Sequence, residues 1–232
     1  MYFDNSRSRS AFRREIILKM KNYIEVNHKA YNLLAKEYLK RVNKSTEPLE
    51  NLAGIPLSHA KKYFKSISAF EIGPGSGEVC RYLSRKKCKT TALDIAEDIL
   101  KVVNAISPKT KLILGDILTY KIPKENYQFI YCGALIHLFA KKDAKRIMNN
   151  IYNSLKSKGI LFCNTTIHDK SSEGFYVKND YCGRIKRFRH RYTEKEFSNL
   201  ISKKFKIIDR IDTIEKDRKK HWVAFIAQKI SK

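Results

Sequence analysis

With 232 residues, 43% of them hydrophobic, the chain is long enough for one medium-sized core, and it has no apolar run near the roughly 18 residues that cross a bilayer. Its polar start, Met1 to Ser10, is unlike a secretory signal, and its five cysteines (Cys80, Cys88, Cys132, Cys163 and Cys182) are odd in number without C-x-x-C spacing; a soluble cytoplasmic protein with no disulfide framework and no metal is expected. The net charge of +25, from 48 basic and 23 acidic side chains, admits a nucleic-acid partner, but the lysines are scattered through every segment, as on solvated faces.

Apolar residues Phe12, Ile16, Ile17, Met20, Tyr23 and Ile24 predict a helix over Ala11–Asn27. A second helix is expected over Ala30–Val42, then a polar stretch to Asn51 and a short helix over Ser58–Phe64. From Ile67 the pattern alternates. Strands are expected near Ala69, Ala92, Ile113, Ile130 and Leu161, with helices over Val79–Arg85, Glu97–Ile106 and Asp143–Leu155. Such βαβ alternation requires a mainly parallel sheet with right-handed crossovers. The tail reads as a helix, Glu194–Ser202, and two strands, Phe205–Asp212 and His221–Lys229, close enough to form an antiparallel hairpin. Residues 1–66 are thus expected to be a helical extension, and residues 67–232 an α/β domain.

The first strand runs into Glu71-Ile72-Gly73-Pro74-Gly75-Ser76-Gly77. Glycines at alternate positions let a ligand approach the backbone closely, and the following helix offers free N–H groups. A dinucleotide turn has the spacing G-x-G-x-x-G, whereas here Glu78 takes the place of the last glycine. A carboxylate there repels a pyrophosphate and tolerates a cation. The stretch resembles the first motif, E/D-x-G-x-G-x-G, of the class I S-adenosylmethionine-dependent methyltransferases; a ligand-free glycine turn is the alternative. Asp94, about twenty residues on, could accept both ribose hydroxyls or cap the helix beginning near Ala96. Gly115-Asp116-Ile117 resembles the family's G-D-apolar segment, which meets the adenine, and equally suits a plain turn.

The resemblance extends over Ile67–Lys229, with Gln128 replacing an Asp, and Ser157 and Lys158 replacing Pro and Gly. It implies a Rossmann-like, seven-stranded, mostly parallel sheet with helices on both faces, a C-terminal antiparallel hairpin and an N-terminal helical lid. It also implies S-adenosyl-L-methionine as cofactor, held by Glu71, Gly73, Gly75, Gly77, Asp94, Ile95, Asp116, Ile117 and Cys132. Tyr31 through Tyr38 resembles the family's entrance helix, which adds Tyr31 and Arg41 to the cofactor set, with amphipathic packing as the alternative. His137, just after the fourth strand, is the candidate catalytic residue, or a structural one. His168 and Asp169 follow the fifth strand, near the reacting face or in a solvated loop. In Gly183 to Tyr192, alternation of an extended chain puts Arg187, Arg189 and Arg191 on one face and Phe188, His190 and Tyr192 on the other. These arginines, with His168 and Tyr192, form the candidate substrate contacts for an anionic group, or else mark a solvated edge strand. The expected reaction is methyl transfer to a small molecule; the rivals are an RNA methyltransferase and a non-catalytic cofactor-binding or scaffold protein.

Overall fold

In a computed structural model of the protein, residues 6–42, 47–180, 183–215 and 220–230 are described. The elements in chain order are α1 (Ser6–Val42), α2 (Glu47–Lys61), β1 (Ser68–Ile72), α3 (Glu78–Arg85), β2 (Lys89–Asp94), α4 (Glu97–Ile106), β3 (Lys111–Leu114) and β4 (Tyr127–Cys132). After a 3-10 turn (Ile136–Leu138) come α5 (Lys141–Ser154), β5 (Leu155–Ile167), β6 (Ser172–Asp180), β7 (Gly183–Arg191), α6 (Glu194–Ser202), β8 (Phe205–Glu215) and β9 (Lys220–Lys229).

Seven strands form one sheet in the order β3-β2-β1-β4-β5-β9-β8. Pairs from β3 through β5 are parallel, and β9 runs antiparallel to both β5 and β8. The expected α/β class, parallel sheet and terminal hairpin are all present. Central strands are buried on both faces, as parallel sheets covered by helices require. Phe129, Tyr131, Ile160 and Phe162 point into a core with Leu57 of α2 and Leu83 of α3, whereas Ile130, Cys132, Leu161 and Cys163 join Ile147 of α5 and Phe197 of α6 on the opposite face. Gln128, at the family's Asp position, accepts the N–H of Ser68 at 2.7 Å and so fastens β4 to the start of β1.

Four elements differ from the sequence reading. The two expected N-terminal helices are one, because nothing between Asn27 and Ala30 breaks the helix and Tyr23, Asn27, Ala30 and Leu34 continue a single buried stripe. An ion pair of 2.6 Å between Glu25 and Lys29 crosses the expected gap. α2 begins well before Ser58 and contains Pro56, a residue that ordinarily marks a helix boundary. The strand expected near Leu161 begins already at Leu155, the expected end of the preceding helix, and its start is irregular, with Lys158 at φ 62°. Finally, the basic segment is not a solvated edge of the main sheet. It is β7, paired antiparallel with β6 in a separate two-stranded ribbon, and β6 has no counterpart in the reading.

The ribbon is fastened at its base. Buried His190 faces Glu173 and Glu196, each at 3.1 Å, while Glu196 also meets Lys141 at 2.6 Å and accepts the hydroxyl of Ser171 at 2.6 Å. Burial works against the charge on Glu196, but the bonds from Lys141, Ser171 and His190 outweigh it and hold the carboxyl at about 2. Among the described residues no helix is long and apolar enough to cross a membrane.

Candidate active site

The site begins where β1 ends. Gly73, Gly75 and Gly77 have φ of 70°, 52° and 75°, a region that side chains disfavour. Space is equally restrictive: a Cβ on Gly73 would lie 2.7 Å from Leu135 Cδ1, and one on Gly77 would lie 3.1 Å from the Val103 backbone. Gly77 donates to the Pro74 carbonyl at 2.9 Å, closing the turn, and is the N-cap of α3. The chain therefore turns tightly at the C-terminal edge of the sheet, where parallel sheets leave a crevice.

A cavity of about 200 Å³ opens above this turn. Its floor carries Glu71, Asp94 and Asp116 from the ends of β1, β2 and β3, and among the described residues no lysine, arginine or histidine lines it. Burial pushes the Glu71 carboxyl up to about 8, against opposing hydrogen bonds from Cys80, and Asp94 adds to the rise. Burial likewise pushes Asp94 up to about 7, although the N–H groups of Ala96 and Ile95 favour its charge. The Ala96 N–H reaches Asp94 Oδ1 at 2.8 Å, and the Leu118 N–H reaches Asp116 Oδ1 at 2.9 Å. Each carboxyl thus orders its own turn and still lines the cavity.

Helix α1 forms the wall over the turn. Tyr31 and Tyr38 line the cavity, their rings 6.4 Å apart, and the Tyr38 ring sits over Gly75. Asn32 Oδ1 accepts the Asp98 N–H at 3.2 Å at the start of α4. One turn earlier, Asn27 accepts the Phe188 N–H at 2.9 Å and donates to the carbonyls of Leu138 at 3.1 Å and Phe188 at 3.4 Å. The opposite wall is the turn after β4. Ala134 has φ 50°, and its N–H reaches Asn164 Oδ1 at 2.6 Å, so a side chain of β5 holds this loop. Ile24, Leu135, Leu138 and Phe139 make the remaining surface apolar.

The structure brings Glu71, Gly73, Gly75, Asp94, Ile95, Asp116, Ile117 and Tyr31 into one lining. Other candidates lie elsewhere. Gly77 caps α3 below the cavity. Cys132 is fully buried opposite Cys163, its register partner in β5. His137 is buried with Nδ1 3.1 Å from Thr165 Oγ1 and its ring against Trp222, because the 3-10 turn directs it to the sheet rather than to the cavity. His168 bonds Thr166 at 3.2 Å beyond the end of β5, and Asp169 is exposed. Tyr192 is buried and stacked on His190 with ring centroids 4.1 Å apart. Arg187 is buried in the ribbon, Arg189 is half-buried, and Arg191 lies over the Tyr176 ring at 4.1 Å; none of the three lines the cavity. The Arg41 side chain falls outside the described residues.

Sequence reasoning missed Asn27, Asn164, Leu135 and Phe139. The two asparagines did carry a signal: each is a polar residue at a position whose helical or strand pattern asks for an apolar one.

The family description "Methyltransferase domain" matches residues 70–163, the stretch from β1 into β5. A curated relative, phosphoethanolamine N-methyltransferase of Plasmodium falciparum, is 30% identical over 102 residues, which is 42% of this chain and 38% of the relative. The chain therefore aligns with well under half of that relative's length. Among solved structures, the 1,6-didemethyltoxoflavin-N1-methyltransferase of Burkholderia thailandensis, with its heterocycle and S-adenosylhomocysteine bound, superposes with a TM-score of 0.66 at 12% identity over 100% of this chain and 93% of its own. The N-methyltransferase NodS of Bradyrhizobium japonicum, with S-adenosylhomocysteine, gives 0.62 at 13% identity, covering 87% of this chain and 99% of its own. The chain thus shares the Rossmann-like fold of these solved methyltransferases, and its residues 70–163 match the methyltransferase-domain family within that fold.

Proposed function

We propose that this protein transfers a methyl group from S-adenosylmethionine to a nitrogen of a small-molecule acceptor taken up in the cavity between α1 and the turn after β4. The observation that carries the reading is the floor of the cavity. A glycine turn with left-handed backbone is ringed by three carboxyls, with no basic side chain among the described residues of the lining, which suits a ligand bearing an ammonium and a sulfonium and disfavours a pyrophosphate. Glu71 and the turn would hold the amino-acid end, Asp94 the ribose hydroxyls, and Asp116 with Ile117 the adenine. When bound, this cofactor supplies a methyl carbon activated by the adjacent positive sulfur.

The protein's part is to orient the acceptor in line and to keep water out. Tyr31, Leu135 and Phe139 do the excluding, and Asn27 and Asn164 are polar groups in the wall. With His137 turned away, the described residues of the lining include no histidine to take a proton. An amine lone pair needs none at the moment of transfer, which favours nitrogen over an alcohol as acceptor. The relatives above, named as N-methyltransferases, support the same reading.

Residues 1–66 act as the lid of this site in the proposal, with α1 as the part that covers the cofactor. The test uses methyl-labelled cofactor and an extract separated into small molecules and RNA. Label in a small basic or heterocyclic product is the expected result. Label in RNA would move the assignment to the rival that the +25 charge admits, and binding of S-adenosylhomocysteine with label in neither fraction would favour the non-catalytic one.

A further inference from the structure

Behind Glu71 lies a buried polar chain that the proposed reaction does not use. Cys80, in the first turn of α3, donates its thiol to Glu71 Oε2 at 2.8 Å. Thr110 hydrogen-bonds the Cys80 sulfur, the Thr110 and Ser107 hydroxyls are 2.9 Å apart, and Ser107 meets half-buried Ser84 at 3.3 Å. Glu71, Cys80, Ser107 and Thr110 are all buried. Buried hydroxyls and thiols are destabilising unless bonded, and apolar residues would fill such positions more cheaply. Of the members of this chain, only Glu71 lines the cavity.

We propose that Cys80, backed by Thr110 and Ser107, is a positioning residue: its thiol fixes the Glu71 carboxyl at the cavity floor and sets the pH above which the site accepts a cationic ligand. The inference rests on the cofactor reading, since it takes the ammonium of the cofactor's amino-acid end as that cation. Among the described residues, the titratable groups acting on Glu71 are Cys80 from α3, Asp94 from β2 and Tyr131 from β4, and none of these is a cation. The bonds from Cys80 favour the charged carboxyl against burial, which otherwise holds its proton up to about 8. An arriving ammonium also favours the carboxylate, so capture expels that proton. Affinity should therefore rise with pH toward about 8 and level off above it. Without the thiol, burial acts with less opposition and the levelling point moves to higher pH.

The experiment is calorimetric titration with S-adenosylhomocysteine from pH 6 to 9, in two buffers of different ionisation heat so that released protons are counted. For the unaltered protein, affinity is expected to fall by up to tenfold per pH unit below the levelling point, with proton release approaching one. Glu71→Gln should flatten the curve and abolish that release, which separates Glu71 from Asp94. Cys80→Ala should move the curve to higher pH and weaken binding at pH 7.5 by about fivefold, a hydrogen bond's worth. Cys80→Ser, which keeps a donor, should restore the original curve, and Thr110→Val should move it the same way as Cys80→Ala by less. These last two variants, with melting curves taken without ligand, keep the test decisive if Cys80→Ala folds poorly. A Cys80→Ala curve superposing on the original, or a pH-independent affinity in the unaltered protein, would overturn the proposal. Absence of binding at every pH would instead overturn the cofactor reading beneath it.

Discussion

Asp94 and Glu71 hold protons near neutrality because burial has withdrawn water from them and no cation among the described residues offsets it. Each therefore affects both ligand binding and stability. For binding, S-adenosylhomocysteine should raise the melting temperature by engaging only the folded state, and Asp94→Ala should remove most of that rise; thermal shift with NAD as the comparison ligand is the measurement. For stability, the sign follows from folded values of about 8 and about 7 against ordinary values of 4.5 and 3.8. The folded state binds more protons throughout this interval, so without ligand these groups favour folding at its acidic end, and that contribution is lost as pH rises through 7 and 8. Urea titrations at pH 5 and pH 8.5 should show it, and Glu71→Gln should reduce the difference. At this scale the motif residues were legible because glycines and acids at fixed offsets have few other uses. His137 and Cys132 illustrate the limit: position after a strand gives the neighbourhood of a side chain, but the local turn decides which way it faces.

Among the elements, α1 does the most to give the site its shape. Asn27 makes three bonds to β7 and the 3-10 turn from inside a buried helix face, so Asn27→Leu removes the bonds while keeping the bulk. Backbone groups of Phe188 and Leu138 then lose a partner, and the expected cost is about 1–3 kcal/mol per group left unsatisfied, measured by chemical denaturation. Weaker cofactor binding should accompany it, because Tyr31 lies one turn away on the same helix. For α6 a smaller effect is expected. Thr193 Oγ1 accepts the Glu196 N–H at 3.2 Å as the N-cap, so Thr193→Ala should cost about 1 kcal/mol in the same assay. The bounds of α4 and α6 were legible from amphipathic periodicity and acidic first turns. The β6–β7 ribbon was not, since its strands mix charges, aromatics and glycine, and pairing rather than a shared apolar face defines it. Buried Arg187 shows the same thing, because charge in a sequence does not tell whether the folded chain will cover it.

For the molecule as a whole, the net charge of +25 is a repulsive load that added salt relieves. The melting temperature is expected to rise between about 10 and 150 mM salt as the screening length shortens to about 8 Å; a fall would mean that paired charges, not repulsion, dominate. The sheet itself was the most legible feature, because strands buried on both faces must be nearly continuous apolar runs, and such runs alternating with helices leave few topologies.

The place of β9 has a consequence for synthesis. This strand comes last in chain order yet lies inside the sheet, between β5 and β8. While the ribosome is still translating, β5 has its β4 neighbour available but nothing on its other side, and β8 has no partner at all until Lys220–Lys229 clears the exit tunnel. A nascent chain halted before that point presents an unprotected edge to other strands and to chaperones. Completion of the native sheet must therefore wait for β9, however early the glycine turn at Gly73 has been made.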